Sequence, residues 1–186
     1  TCAAIANAMW NYRMFLLHGE AKYIDVLERV LYNGFLSGVS LEGDKFFYPN
    51  PLECKGNYQR KPWFDCSCCP SNVVRFLPSL PGYIYAQKDD SLYVNLFIGS
   101  KVSLRINDIE TKLKQETNYP WDGKIKLTVH SPKEQNFKLF IRVPGWAQNQ
   151  VIPSSLYIFS DNKITKPVVF KVNNKKVNYE LRDGYA

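Results

Sequence analysis

The sequence predicts an α+β protein in which amphipathic helices come first and an antiparallel β-sandwich follows. Apolar residues recur at helical spacing over residues 3–36, whereas short segments alternate between apolar and polar side chains from residue 91 onward. The composition changes between the two patterns. With 186 residues, 45% of them hydrophobic, the chain can form one compact domain or two small ones. We therefore predict a helical part over residues 1–85 and a β-sandwich part over residues 86–186.

Three helices are predicted in the first part. The first covers residues 3–18 and ends at Gly19, because glycine readily adopts the left-handed conformation found just after a helix. A tight turn leads to the second helix, over residues 20–36, so that the two form a helical hairpin. Ser71 is a suitable N-cap for a third helix over residues 72–80, which Pro81-Gly82 would stop.

A long loop and a series of strands make up the rest of the prediction. Residues 37–65 are rich in glycine and proline and predict a loop with a short strand at 45–48. Turn-forming residues separate the later alternating segments, and Asn173-Asn174 predicts a further hairpin turn. The predicted strands cover residues 91–98, 101–106, 112–117, 124–130, 138–143, 156–159 and 168–172.

The charge is uneven along the chain. Residues 1–85 carry 8 Lys+Arg and 7 Asp+Glu, which leaves +6 of the net +7 on residues 86–186. The lysines of the second part occur singly in alternating segments, a pattern that favours a solvated sheet face over a nucleic-acid interface. His130 ends a predicted strand, and we assign it no chemical role. No apolar run approaches the roughly 18 residues of a membrane helix.

The chain begins at Thr1, without a methionine, in a segment that already has a helical pattern. We therefore expect the chain to be a fragment whose true N-terminus, with any targeting signal, is missing. Localisation, whether cytoplasmic or periplasmic, is not predicted.

Three of the five cysteines lie within four positions, in Cys66-Ser67-Cys68-Cys69. Neighbouring cysteines cannot easily form a disulfide with each other, and the odd count argues against a disulfide framework. Cys68 and Cys69, together with Cys2, could supply three thiolates to one Zn²⁺ ion. Buried apolar cysteines are an equal alternative on spacing alone. A metal-bound thiolate stays ionised at neutral pH and could act as ligand, as nucleophile, or as both.

Two further candidates have weaker patterns. Glu28 lies within a predicted helix, where the pattern favours an exposed carboxylate over a contact in a site. Tyr48 belongs to an aromatic loop over residues 46–53. Aromatic faces with polar tips suit sugar stacking, although residues that fill a core look the same.

Five segments of the chain form a recognisable series: WNYRMF at 10–15, DVLERVLYNG at 25–34, FFYPNPLE at 46–53, CSCCPSN at 66–72 and YPWDG at 119–123. In this order they resemble the β-L-arabinofuranosidases of glycoside hydrolase family 127, and the related family 146 is similar. The resemblance covers residues 1 to about 147.

The resemblance implies the last helices of an (α/α)6 barrel followed by the start of a β-sandwich, and retaining hydrolysis of terminal β-L-arabinofuranosides in an arabinose-containing glycan. It implies that Cys68 is the nucleophile, that Cys2, Cys68 and Cys69 bind zinc, and that Tyr48 and Glu28 line the sugar pocket. The family's fourth zinc ligand, a Glu, would stand immediately before Thr1, and its acid/base Glu lies further upstream. We therefore expect these 186 residues to be inactive alone.

Two other functions stay open. One is a non-catalytic domain in which zinc only ties helix to loop. The other is a carbohydrate-binding sandwich with a helical appendage, which predicts exposed coplanar aromatic rings on the sheet. The direction of the Cys68 side chain relative to Tyr48 and Glu28 distinguishes them from an enzyme.

Overall fold

The computed structural model describes residues 1–161, 164 and 166–186. The chain divides into two compact units. The first consists of Thr1–Leu80 and Pro144–Val168, and the second of Pro81–Val143 and Val169–Ala186. Helices dominate the first unit and small sheets the second, so the predicted α+β class is confirmed.

Two antiparallel helical segments begin the first unit. Helix α1 spans Cys2–His18 and ends at Gly19, whose φ of 73° and N–H bond to the Phe15 carbonyl (2.7 Å) confirm the predicted stop. Helix α2 spans Ala21–Arg29. It continues as a π-helical turn and a short 3-10 turn, so the predicted second helix has the right extent but is α-helical only in its first half. None of the described helices is long and apolar enough to cross a membrane.

Helix α3 spans Cys68–Ser79, which corrects the predicted start at residue 72. Ser71 is not its N-cap: it lies inside the helix, where its hydroxyl donates to the Ser67 carbonyl at 2.8 Å. Pro70 is compatible with this start, because it is the third residue of the helix and no backbone N–H is needed in the first turn. The predicted boundary at Pro81 is confirmed, since a separate short helix, α4, spans Pro81–Ile84.

The loop between α2 and α3 is held by isolated contacts rather than by the strand predicted at 45–48. Phe46 forms single bridges with Val39 and with Lys61. Phe47 stacks on Tyr58, with ring centroids 5.1 Å apart, and the Arg60 guanidinium lies 4.4 Å from the Phe47 ring centroid. These aromatic contacts order a segment that lacks a regular hydrogen-bond ladder.

The second unit contains two three-stranded sheets and a hairpin. The strands are β1 Tyr85–Lys88, β2 Ser91–Val94, β3 Ser100–Ile106, β4 Ile109–Thr117, β5 Ile125–His130, β6 Lys138–Ile141, β7 Phe170–Val172 and β8 Lys175–Val177. The sheet orders are β1-β2-β6, β3-β4-β5 and β7-β8. The pair β2–β6 is parallel, which corrects the expectation of an entirely antiparallel arrangement.

One hydrophobic cluster connects the two three-stranded sheets. Its buried members are Leu92 and Val94 from β2, Phe97 from the following loop and Leu113 from β4. Partly buried residues from β1, β3, β5 and β6 pack around them. The apolar positions of the alternating segments therefore face a shared core, as their period of two requires.

Two strand predictions need correction, and one turn prediction is confirmed. Residues 156–159 form no strand, although all four are apolar, and Leu156 and Ile158 are 79% and 85% exposed. The segment has strand-like composition, but among the described residues it has no partner strand. Strand β1, at Tyr85–Lys88, is not among the predicted strands. Asn173 and Asn174 do form the tight turn between β7 and β8, with φ of 49° and 66°.

Candidate metal and active site

Three thiols from two helices meet at one point in the first unit. Cys2 is the first residue of α1, and Cys68 and Cys69 are the first two residues of α3. The Sγ atoms of Cys2 and Cys69 are 3.5 Å apart, those of Cys68 and Cys69 are 3.9 Å apart, and all three lie within 4.8 Å of one another. The fold thus brings Cys2 together with two cysteines that lie 66 and 67 residues later in the sequence.

The aromatic loop brings the two helices to this point. The backbone nitrogen and the hydroxyl of Thr1 donate to the carbonyls of Tyr48 (2.9 Å) and Phe47 (2.7 Å). The Cys69 thiol also donates to the Tyr48 carbonyl, at 3.6 Å. Gly38 permits this approach, because a Cβ there would lie 2.8 Å from the Thr1 hydroxyl. One carbonyl therefore connects the start of α1 to the start of α3.

The three sulfurs fit a tetrahedral soft metal. With metal–sulfur bonds of about 2.3 Å, tetrahedral coordination places sulfurs about 3.8 Å apart. The two closest pairs, at 3.5 Å and 3.9 Å, bracket that value before any adjustment. Three thiols form a donor set that favours zinc over magnesium or calcium. The cluster therefore has both the spacing and the chemistry to hold Zn²⁺.

Asn72 is a polar neighbour of the cluster that the sequence analysis did not assign to the site. It lies one helical turn after Cys68, and its side-chain amide donates to the Cys2 sulfur at 3.4 Å. Partial burial acts to raise the pKa of Cys2, but hydrogen bonds from Asn72 and from the Cys68 and Cys69 thiols outweigh it and lower that pKa. The lowered pKa favours the thiolate form of Cys2.

Cys69 has the opposite tendency. Its side chain is 2% exposed, and burial, followed by the neighbouring thiol of Cys2, raises its pKa to about 11. The N-terminal end of α3 offers partial positive charge to a thiolate at this position. Without a metal, burial dominates and Cys69 stays protonated at neutral pH.

Tyr48 lies directly beside the predicted nucleophile. Hydrogen bonds to Cys68 and then to Cys66 raise the pKa of the Tyr48 phenol far above its usual value, so its hydroxyl remains a donor. The ring is 41% exposed and meets Phe64 edge to face, with centroids 5.5 Å apart. Cys68 is therefore next to a polar group on an aromatic, partly open surface.

The remaining predicted residues are placed as follows. Glu28 lies on α2 and is 5% exposed, so the exposed carboxylate that its pattern favoured is wrong; its contact with a sugar stays a prediction. Cys66 is exposed and, among the described residues, lies outside the group of three thiols. An asparagine four residues after Cys68 was the one available signal for Asn72, since residues i and i+4 share a helix face.

Replacing Asn72 by alanine should lower zinc affinity by about tenfold, the lower end of the usual effect for a group that hydrogen-bonds a metal ligand. The amide donor that stabilises negative charge on the Cys2 sulfur would be lost. Competition against a chelator measures the affinity. Arg75→Ala, an exposed change on the same helix, is the control and should have no effect. Equal affinities of wild type and Asn72→Ala would contradict the assignment.

Metal binding should become stronger as the pH rises. Because Cys69 has a pKa of about 11, it must release a proton to bind the ion at any pH near neutrality. We expect at least about one proton released per ion and roughly a tenfold rise in apparent affinity per pH unit between about pH 6 and pH 8. Calorimetry in two buffers of different ionisation enthalpy counts the protons. Affinity independent of pH would show that Cys69 is not a ligand.

Comparisons with known proteins agree along the whole chain. A family model described as the catalytic domain of the GH127 β-L-arabinofuranosidases matches residues 1–82. A second model, the middle domain of the same family, matches residues 91–186. A non-reducing end β-L-arabinofuranosidase of Bifidobacterium longum subsp. longum is 32% identical in an alignment 164 residues long, and the match covers 80% of this chain and 24% of that protein.

Solved structures give the same result. A GH127 β-arabinofuranosidase superposes with a TM-score of 0.94 at 54% identity, over 99% of this chain and 29% of that one. A GH127 β-L-arabinofuranosidase from Geobacillus stearothermophilus T6 has a TM-score of 0.83 at 38% identity, over 98% of this chain and 28% of that one. The chain thus spans between a quarter and a third of the length of these relatives.

Proposed function

Because the chain belongs to glycoside hydrolase family 127, we propose that it forms the nucleophile side of the active site of a retaining glycosidase that releases L-arabinofuranose from β-L-arabinofuranosides. The observation that carries the proposal is the cluster of three thiols with Cys68 beside the Tyr48 hydroxyl. The name of the curated relative supports the sugar and its terminal position. Since the chain spans 24% of that relative, we propose that the activity belongs to a longer protein.

The proposed architecture follows the same family. Residues 1–85 would form the last helices and the active-site loop of an (α/α)6 barrel, and residues 86–186 the start of a β-sandwich. The helical hairpin of α1 and α2 supports the first, and the cluster shared by the two three-stranded sheets supports the second. The general acid/base would come from outside the 186 residues.

In the first chemical step, the Cys68 thiolate attacks the anomeric carbon. A sulfur–carbon bond forms, the bond to the aglycone oxygen breaks, and that oxygen takes a proton from the general acid. Tyr48 donates to Cys68 and so fixes the direction of the attacking sulfur. The result is a glycosyl unit attached to Cys68 with inverted configuration.

In the second step, water attacks the same carbon and gives its proton to the general acid/base. The sulfur–carbon bond breaks, the Cys68 thiolate returns, and the second inversion restores the original configuration. Cys2, Cys68 and Cys69 would hold Zn²⁺, whose positive charge would keep the thiols ionised near neutral pH. We propose that Tyr48 and Glu28 hold the sugar hydroxyls.

A non-catalytic domain tied together by zinc is the second candidate. The observation that favours it is the direct approach of Cys2 to the buried Cys69, which would connect α1 to α3 whether or not chemistry occurs. It requires nothing of Tyr48. The carbohydrate-binding sandwich has less support, because the outward side chains of β3, β4 and β5 are charged or hydroxylic rather than aromatic.

The test is the stereochemical course of hydrolysis by the full-length protein. We expect it to cleave an aryl β-L-arabinofuranoside and to release the β anomer first, as proton NMR during the reaction would show. The matching α-L-arabinofuranoside is the control and should be cleaved at least about a hundredfold more slowly. Release of the α anomer first would exclude a covalent intermediate on Cys68.

A further inference from the structure

The outward face of the sheet β3-β4-β5, in the second unit, carries two rows of polar side chains. The strand register places Lys101 opposite Lys114, which lies opposite Thr128. In the next row, Ser103 lies opposite Lys112, which lies opposite His130. All six are exposed and, together with the apolar residues Val102 and Leu113, line one depression of about 490 Å³. We call this surface the basic face.

The charges of the basic face are not balanced within the sheet. Lys101 and Lys114 stand directly opposite each other, an arrangement of like charges that is unfavourable in an antiparallel pair. The Glu116 carboxylate forms ion pairs with two lysines, with N–O distances of 2.6 Å to Lys114 and 3.7 Å to Lys126. Among the described ion pairs, none includes Lys101. A solvated face explains why the lysines are exposed, but not why like charges line one concave surface.

The other carboxylate of the sheet does not supply the missing charge. Glu110 accepts a hydrogen bond from Ser103 at 2.7 Å. This hydrogen bond, and to a smaller extent the positive charge of Lys112, lowers the pKa of Glu110. Glu110 and Glu116 lie at opposite ends of β4, on either side of the two rows. An anion from outside the chain would therefore find cations in the middle of the face and carboxylates only at its borders.

We propose that the basic face binds a carboxylate-bearing glycan, such as a chain of uronic acid residues. The inference rests on the proposed function, which makes a glycan the expected partner. Lysine ammonium groups would pair with the carboxylates. The Thr128 hydroxyl would hydrogen-bond sugar hydroxyls, and the Ser103 oxygen, whose hydrogen is donated to Glu110, would accept from them. The depression lies within the roughly 300–1,000 Å³ typical of small-molecule sites.

The same surface lacks what single-stranded nucleic acid requires. Proteins of that kind stack bases on exposed aromatic rings within a positive groove. The side chains of the two rows include four cationic or titratable groups and two hydroxyls, and His130 is their sole ring. Charge without a stacking platform favours a glycan, whose repeating carboxylates need only point charges and hydrogen bonds.

Calorimetry with the full-length protein tests the proposal. The probes are an oligogalacturonate, the same oligomer with its carboxylates reduced to alcohols, and a single-stranded DNA of equal charge. We expect binding of the oligogalacturonate, at least about tenfold weaker binding of the reduced oligomer, and weakening by salt. Equal binding of the reduced oligomer, or DNA binding as tight as that of the uronate, would overturn the proposal.

Two matched double variants locate the site. Lys101→Gln with Lys114→Gln should reduce affinity for the oligogalacturonate at least about tenfold. Lys171→Gln with Lys176→Gln removes the same charge from another exposed cross-strand pair, outside the depression, and should leave affinity unchanged. Equal loss in both would mean that net charge alone attracts the glycan, and the proposed site would be wrong. If the first pair unfolds, as circular dichroism would show, Lys112→Gln replaces it with the same expected loss.

The result of the uronate-binding test can be distinguished from the result of the hydrolysis test of the proposed function. Calorimetry reads binding to the second unit and needs no hydrolysis. Failure to cleave an aryl β-L-arabinofuranoside would overturn the proposed activity but not a measured uronate affinity. Cleavage without uronate binding would overturn the basic face alone.

Discussion

Replacing Cys68 by serine in the full-length protein should lower kcat on an aryl β-L-arabinofuranoside by at least about a thousandfold, the scale of loss when an enzyme's nucleophile is removed. A serine hydroxyl stays protonated near neutral pH, whereas a metal-bound thiolate is ionised, so the variant cannot form the sulfur–carbon bond. Initial rates measure the loss. Mass spectrometry after rapid quenching should show one arabinosyl unit on the peptide bearing residue 68 in the wild type alone.

Cys54→Ser is the matched control for that change. Cys54 is an exposed cysteine in the loop between α2 and α3. Among the described hydrogen bonds, its thiol makes one, to the Tyr58 carbonyl at 3.6 Å. Its replacement should change kcat by less than about twofold. Turnover by Cys68→Ser within tenfold of the wild type would remove Cys68 from the covalent step and leave the non-catalytic zinc domain as the better explanation.

The helices show how far local pattern reaches. Gly19 ended α1 as predicted, because the left-handed cap is a property of one residue and its neighbours. The start of α3 was placed four residues too late, since Ser71 and Asn72 imitate an N-cap sequence. What decides the true start is that Cys68 and Cys69 turn toward Cys2, a contact with a residue far away in the sequence.

The strands divide in the same way. Alternation located β2 to β6 to within a few residues because each has a buried face in a shared core. The run at residues 156–159 is more apolar than most of them, yet no strand forms there. Strand propensity describes how well side chains fit a half-buried pleated surface, and the sequence does not say whether such a surface exists.

The sequence predicts the type of site, a thiolate metal site, but not every residue that belongs to it. The two adjacent cysteines, Cys68 and Cys69, suggest a metal by themselves, but the residues alone left buried thiols equally open. Cys2 was a possible third thiolate on residue type alone, resemblance to a family supported it, and the structure places its sulfur 3.5 Å from that of Cys69. The helical spacing from Cys68 places Asn72 on the same helix face, but it does not identify Cys2, 70 residues away, as the hydrogen-bond partner.

Removing one thiol from the cluster should remove the metal. We expect Cys2→Ser to lower the zinc affinity of the 186-residue chain by at least about a hundredfold, because one of three sulfur donors is lost and a hydroxyl is a poor ligand for zinc. Cobalt substitution gives a direct readout, since the sulfur-to-metal charge-transfer band should weaken. The metal should also cease to raise the thermal midpoint; metal at a hundred times its Kd otherwise adds about 2.7 kcal/mol of stability.

Cys66→Ser is the control, since Cys66 is two residues from Cys68 but outside the group of three. It should bind cobalt with an unchanged spectrum. A loss of affinity equal to that of Cys2→Ser would mean that the metal is bound by a different set of cysteines.

The Cys2→Ser and Cys68→Ser variants separate the two roles of Cys68, as metal ligand and as nucleophile, in the full-length protein. Cys2→Ser keeps the attacking sulfur of Cys68, so part of the turnover should remain. Cys68→Ser has no sulfur to form the bond to the sugar, and its loss of turnover should be larger.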